Sequence, residues 1–122
     1  MIALAAALIA GSCSAGAGAS DATITSDELA AIMAEGDANT FLIDVRRAEE
    51  YAAGAIPGAI NIPYDVISGN LPTDDRSARI IVYCASGRRS AIARATLVDL
   101  GFTNVTDFGG VTNWTGELVS TE

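Results

Sequence analysis

The 122-residue chain has no histidine and no lysine, only two cysteines, and seven basic residues against 15 acidic ones. Without histidine, the commonest general base and the commonest metal ligand are both missing. Cys13 and Cys84 alone supply too few ligands for a zinc site, so metal catalysis is not expected, and no cofactor is implied. All the basic residues are arginines, and the net charge is −8. Nucleic acids and anionic membranes need a basic face, so neither is an expected partner of this acidic surface. A small anion remains compatible, because positive charge is gathered locally in the pairs Arg46–Arg47 and Arg88–Arg89.

A long hydrophobic run is also missing. "IALAAALIA", Ile2 to Ala10, is apolar but well short of the roughly 20 residues that span a bilayer. It is followed by the small, polar "GSCSAGAGASD", and the two together read as an export signal over residues 1–19. Two endings fit. "AGA" at Ala17 to Ala19 suits a cleavage site that leaves Ser20 as the mature start, and "IAGSC" resembles a bacterial lipobox that would lipidate Cys13. A periplasmic, cell-surface or lipid-anchored location is therefore expected, with membrane contact only through this segment. No basic residue precedes the run, which leaves the positive charge to the α-amino group or places the true start upstream. The overall hydrophobic fraction of 50% and mean hydropathy of +0.35 owe much to these residues. What remains, 20–122, has the length of one domain of roughly 100–150 residues.

Along that domain, "TITSDELAAIMAEGD" predicts a helix with Thr25 and Glu28 at capping-box spacing and Gly36 as its stop. "FLIDV" has the length and apolarity of a buried strand, "RAEEYAAG" of a short helix, and "IPGAINIP" of a turn and brief strand between prolines. "YDVISGNLP" predicts a helical turn and "TDDRSA" a polar loop. "RIIVYC", Arg79 to Cys84, is the strongest strand, and "RRSAIARATLVDLG" a helix with Ile92, Leu97 and Leu100 among its buried candidates. "NVTDF" predicts a further strand and "GGVTNWTGEL" a last short helix anchored in the core by Trp114. Strands alternating with helices imply an α/β sandwich around a mostly parallel sheet.

Ligands of such folds sit where a strand ends and the next helix begins. Cys84 stands at that place, and "ASGR" is short enough to curl around its sulfur with backbone N–H groups pointing inward, an anion nest at a positive helix end. A thiolate is an anion, so the nest, the helix dipole and arginine charge are all expected to lower the Cys84 pKa. Gly87 is expected to meet a backbone conformation or a close approach that a side chain would block. Backbone and guanidinium groups thus replace the absent histidine as activators of a nucleophile.

"CASGRRS" resembles the C-x-x-G-x-R-S active loop of single-domain rhodaneses. "LIDVRRAEEYAAGAIPGAINIPY" is similar to that family's D-V-R…E-[FY]-x-x-G-H-I-x-G-A-x-N-[IL]-P signature, and "FGGVTNW" to its G-G-x-x-x-W close. The resemblance runs from about Ile24 to the end of the chain. It implies a three-layer α/β sandwich, a mostly parallel central sheet flanked by helices. It further implies a thiosulfate sulfurtransferase-like enzyme in which Cys84 takes sulfane sulfur from a small sulfur-containing anion and passes it as a persulfide to cyanide, a small thiol or a protein thiol. Amides of Ala85, Ser86, Gly87, Arg88 and Arg89 would cradle the persulfide. Arg88 would meet the donor, and Arg89 would turn inward to brace the loop against one of the upstream acids Asp44 and Glu50, with Glu50 favoured. Arg46 and Arg47 would widen the positive rim or serve only as surface charge. One departure from the family pattern is Ala55, where histidine is usual; its loss bears on the turn more than on catalysis.

Other chemistries fit less well. Phosphatases of related fold have a cysteine loop longer by one residue, whereas Arg89 follows Cys84 by five. A disulfide oxidoreductase would want a second nearby thiol, and Cys13 lies in the signal. A persulfide carrier or sulfur-sensing module needs only the one thiol and stays open as the alternative.

Overall fold

The computed structural model describes residues 23–121; the signal-like residues 1–19 and Cys13 lie outside the described residues. Helix α1, Ser26–Ala34, begins with the expected reciprocal cap: the Glu28 N–H donates to Thr25 Oγ1 at 3.0 Å, and the Thr25 N–H to Glu28 Oε1 at 2.7 Å. Strand β1 spans Thr40–Asp44, helix α2 Ala48–Ala53 and strand β2 Ile60–Asn61. A 3-10 turn at Ile67–Gly69 leads through the polar loop to β3, Arg79–Cys84, with the bounds expected of it. Helix α3, Arg88–Asp99, β4, Val105–Gly110, and a 3-10 turn, Val111–Asn113, complete the order.

The strands form one parallel sheet in the order β2-β1-β3-β4. Side-chain alternation divides the core between its faces. Ile80, Val82 and Cys84 of β3 join Ile43, Val45 and Val105 under Ala93 and Leu97 of α3. Ile81 and Tyr83 join Leu42 and Phe108 on the opposite face, beneath Leu29 of α1, with Tyr51 of α2 packed against them. The result is the three-layer α/β sandwich. Each large aliphatic side chain sealed here contributes about 1.5–3 kcal/mol, and α2 contributes none on that scale because no residue of it is fully buried.

Two expectations about the core are corrected. Ile92 and Leu100 are 40% and 37% exposed, and the face of α3 that meets the sheet is Ser90, Ala93 and Leu97. Small residues stand at 90 and 93 because the start of α3 lies close to Cys84 and the end of β4. The closing segment forms only a 3-10 turn rather than a short helix, since Gly109 and Gly110 still belong to β4. Trp114 is half-buried against the α1 side of the core and donates its Nε1–H to the Glu117 carbonyl at 3.2 Å.

At the turn after α2, Ala55 is buried, and its backbone forms an isolated antiparallel bridge with Val119. On the sheet, β4 slips by one residue opposite Val82 and Tyr83, leaving Phe108 unpaired in the ladder. This bulge brings Gly109 and Gly110 alongside Tyr83 and Cys84, at the carboxyl edge of the sheet.

Candidate active site

Strand β3 delivers Cys84 to that edge, fully buried, and the chain turns through Ala85 and Ser86 to Gly87 before α3 begins. Gly87 caps the helix at φ +100°, a conformation that side-chain-bearing residues adopt at a cost. The requirement is conformational rather than steric, because a Cβ there would meet Gly109 Cα at an ordinary 3.7 Å. Crowding is found instead at Gly110, where a Cβ would stand 2.7 Å from the Ala85 carbonyl oxygen. The paired glycines of "FGG" therefore form the floor on which the loop rests.

Within this turn the Gly87 N–H donates to Cys84 Sγ at 2.9 Å. The Cys84 thiol donates to Ser90 Oγ at 3.5 Å, and that hydroxyl donates to the Gly87 carbonyl at 3.1 Å, with the Gly109 carbonyl at 3.5 Å. Burial pushes the Cys84 pKa up, but the Ser90 hydroxyl and the amides of Ser90, Gly87 and Ser86 outweigh it, so the thiol lies below its ordinary value of 9.0. All four groups stabilise the anion more than the neutral thiol. On ionisation the Ser90 hydroxyl can rotate its proton toward sulfur, which makes it a partner of both forms. Helix α3 adds its positive end behind the loop.

Arg89 lies inward from this turn and meets Glu50 fork to fork, Nη1 to Oε1 at 2.9 Å and Nη2 to Oε2 at 3.1 Å. Glu50 Oε1 also accepts the Arg47 N–H at 3.0 Å. Arg89, opposed by partial burial and helped by the Arg47 amide, holds the Glu50 carboxyl down at about 2. The guanidinium of Arg89 in turn feels the Cys84 charge, which joins Glu50 in raising its pKa. Arg88, the first residue of α3, is exposed.

Asp44 is not part of this brace. Its carboxylate is buried against Arg46, whose Nη2 reaches Oδ2 at 2.7 Å and also donates to the Gly54 carbonyl at 2.7 Å. Removing two charges from water is costly, and such a pair persists only with its hydrogen bonds complete. Here Arg46 Nε and the Arg46 N–H also reach Asp44, and the guanidinium carbon lies 5.7 Å from the centre of the Tyr83 ring. Arg46 is thus a buried corner post rather than a rim charge, whereas Arg47 is exposed. Tyr83 joins the same corner: its phenolic oxygen accepts the Ile56 N–H at 3.0 Å, and burial followed by the Asp44 charge pushes its pKa up.

Ser90 and Gly109–Gly110 fall inside the quoted motifs "CASGRRS" and "FGGVTNW", but the sequence assigned them no role at the sulfur. For Ser90 the signal was its place six residues after Cys84, inside the first turn of a helix whose start faces the sulfur.

Residues 25–117 match the rhodanese-like domain family. The chain belongs to that family. Among curated relatives of this rhodanese-like chain, a putative sulfurtransferase of Bacillus subtilis, YtwF, is 39% identical over 83 residues, 68% of this chain and 81% of the relative. The thiosulfate sulfurtransferase PspE of Escherichia coli is 38% identical over 71 residues, covering 57% of this chain and 68% of that protein. Against the adenylyltransferase and sulfurtransferase UBA4 of Meyerozyma guilliermondii, identity is 35% over 86 residues, and the chain spans only 20% of that longer protein. The solved structure of the human single-domain sulfurtransferase TSTD1 superposes with a TM-score of 0.68 at 28% identity, over 81% of this chain and 96% of that one. The family chemistry is enzymatic sulfur transfer.

Proposed function

We propose that Cys84 takes sulfane sulfur from a small anionic donor such as thiosulfate and hands it to a thiophilic acceptor. In the first half-reaction the Cys84 thiolate attacks the outer sulfur of thiosulfate. A new S–S bond forms, the donor S–S bond breaks, and sulfite leaves with the electron pair. An acceptor such as cyanide or a thiolate then attacks the outer persulfide sulfur, and the Cys84 thiolate departs. No redox partner is needed, because the sulfane sulfur carries its oxidation state with it.

The observation that carries this reading is the turn that aims the Gly87 N–H at Cys84 Sγ from 2.9 Å while the Ser90 hydroxyl and neighbouring amides favour the anion. The amides can serve the outer sulfur and the leaving anion in the same way, with the exposed Arg88 to meet the donor. The PspE relative, a thiosulfate sulfurtransferase, supports thiosulfate as the first donor to try. A second reading, a persulfide carrier or sensor without meaningful turnover, draws on the similarity to YrkF of Bacillus subtilis, a putative sulfur carrier protein, 33% identical over 84 residues, 68% of this chain and 45% of that protein.

The test is sulfur transfer from thiosulfate to cyanide by the full chain beside Cys84→Ala, with mass spectrometry for a one-sulfur adduct. Turnover and adduct, both lost in the variant, are expected. An adduct without turnover favours the carrier, and no adduct from any sulfane donor overturns the role of Cys84. Export belongs to the same proposal on the strength of the residue 1–19 pattern, and the mass of the N-terminal peptide recovered from a secreting host distinguishes a Ser20 start, a lipidated Cys13 and an uncleaved chain.

A further inference from the structure

We propose that the segment Leu118–Thr121 is a positioning element of the active loop: it fixes the far end of α2, so that Glu50 at the near end holds Arg89 in place. The proposal rests on Cys84 being the reacting group, but not on which donor it uses.

Helix α2 has six residues, none of them fully buried. A helix of this length has little stability of its own, since isolated helices below about 12–15 residues are marginal in water. Its position comes from Tyr51, which packs against the Leu42–Tyr83–Phe108 side of the core, and from contacts at its two ends. At its start, Glu50 accepts from Arg47 and Arg89. At its end the last carbonyls lack helical partners, and the closing segment supplies donors to them. The Thr121 N–H donates to the Ala52 carbonyl at 2.9 Å, and Ser120 Oγ donates to the same oxygen at 3.1 Å. Val119 and Ala55 exchange both backbone bonds, at 2.8 and 2.9 Å. The Leu118 side chain lies over Gly54, 3.5 Å from where a Cβ would stand. Arg46 at the Gly54 carbonyl and the Tyr51 hydroxyl at the Ala59 carbonyl add to these ties.

The family match ends at residue 117, so this clasp lies just outside it. The carboxylate that braces the loop therefore stands on a helix clamped by residues that the family pattern does not include. If the clamp opens, α2 can rotate about its Arg46 tie, and the two parallel Glu50–Arg89 bonds, which tolerate little misalignment, are the first to weaken.

The experiment is alkylation of Cys84 by iodoacetamide in the full chain, followed across pH, with Val119→Pro and Thr121→Pro, each of which removes one backbone donor of the clasp. Both are expected to slow alkylation at neutral pH by about two- to tenfold, with Val119→Ala, which keeps the N–H, restoring the rate. Glu50→Gln is expected to slow the otherwise unaltered chain and to add nothing in the Val119→Pro background, because the brace is already lost there. If Val119→Pro does not fold, Thr121→Pro with and without Glu50→Gln decides. A lowered melting temperature with alkylation unchanged overturns the proposal, as do clasp and Glu50 effects that simply multiply. Normal alkylation without sulfur transfer would count against the sulfurtransferase reading and leave the clasp untouched.

Discussion

Around Cys84 the contacts that prepare the sulfur come from near by in sequence: Gly87 is three residues on and Ser90 six. Glu50 reaches Arg89 across 39 positions and from a helix with no fully buried residue. The loop is built of backbone amides fixed by a strand end and a helix start, with two glycines as its floor. The brace is a pair of side chains whose alignment depends on two separate helices, one of them with no fully buried residue. A nucleophile made this way depends strongly on main-chain shape and only secondarily on charge. That ranking can be broken by experiment.

The largest effect is expected at the floor. Gly110→Ala puts a Cβ 2.7 Å from the Ala85 carbonyl oxygen and 3.3 Å from Ser86 Cα, so the backbone of the Cys84 turn must shift. Overpacking of this kind costs about 1–3 kcal/mol, and here the strain falls on the turn that holds the sulfur. Thermal unfolding and iodoacetamide alkylation of Cys84 should both register it. A variant with unaltered melting temperature and alkylation rate would mean that the floor is softer than its geometry.

Next comes Ser90→Ala, which removes the leading group that favours the Cys84 thiolate while leaving burial, which opposes it, in place. The Cys84 pKa should rise, and alkylation at pH 7 should slow by roughly tenfold, the loss expected for one hydrogen bond to a charged group. The pH profile checks the cause: the rate should recover at high pH, where the thiolate forms without help. A uniform loss at all pH values would point to access instead.

These two residues also mark what was legible in the chain. The strand ending at Cys84, the Thr25–Glu28 cap and the alternation of helices with a mostly parallel sheet follow from local pattern, because apolar runs and capping residues act over a few positions, whereas the three-layer form comes from the family resemblance. Ile92 and Leu100 misled because apolar character alone does not tell which face of α3 meets the sheet; the close approach near Cys84 selects Ser90 and Ala93 instead. Adjacent arginines are equally opaque. Arg46 is buried on Asp44 and Arg47 is exposed, and only the corner formed by Gly54 and Tyr83 separates their fates. The clasp on α2 has no sequence signature at all, since its bonds are made by backbone and one hydroxyl.

The smallest effect is expected at the brace. Glu50→Gln keeps the shape and one acceptor but loses the charge, and for a partly exposed pair about 1 kcal/mol is the reasonable scale. The sign with pH follows from the carboxyl being held at about 2 in the folded chain against an ordinary 4.5. A depressed folded pKa stabilises above the unfolded value, so the contribution is whole above about pH 4.5 and disappears as pH falls toward 2. Urea unfolding of the two forms side by side should give a constant difference from pH 7 to pH 5 that shrinks through that acid window. Since Arg89 stays charged throughout, only Glu50 can supply this pH dependence to the pair. A difference that is flat down to pH 2 would mean that Glu50 positions by shape, and the brace would then resemble the loop it supports.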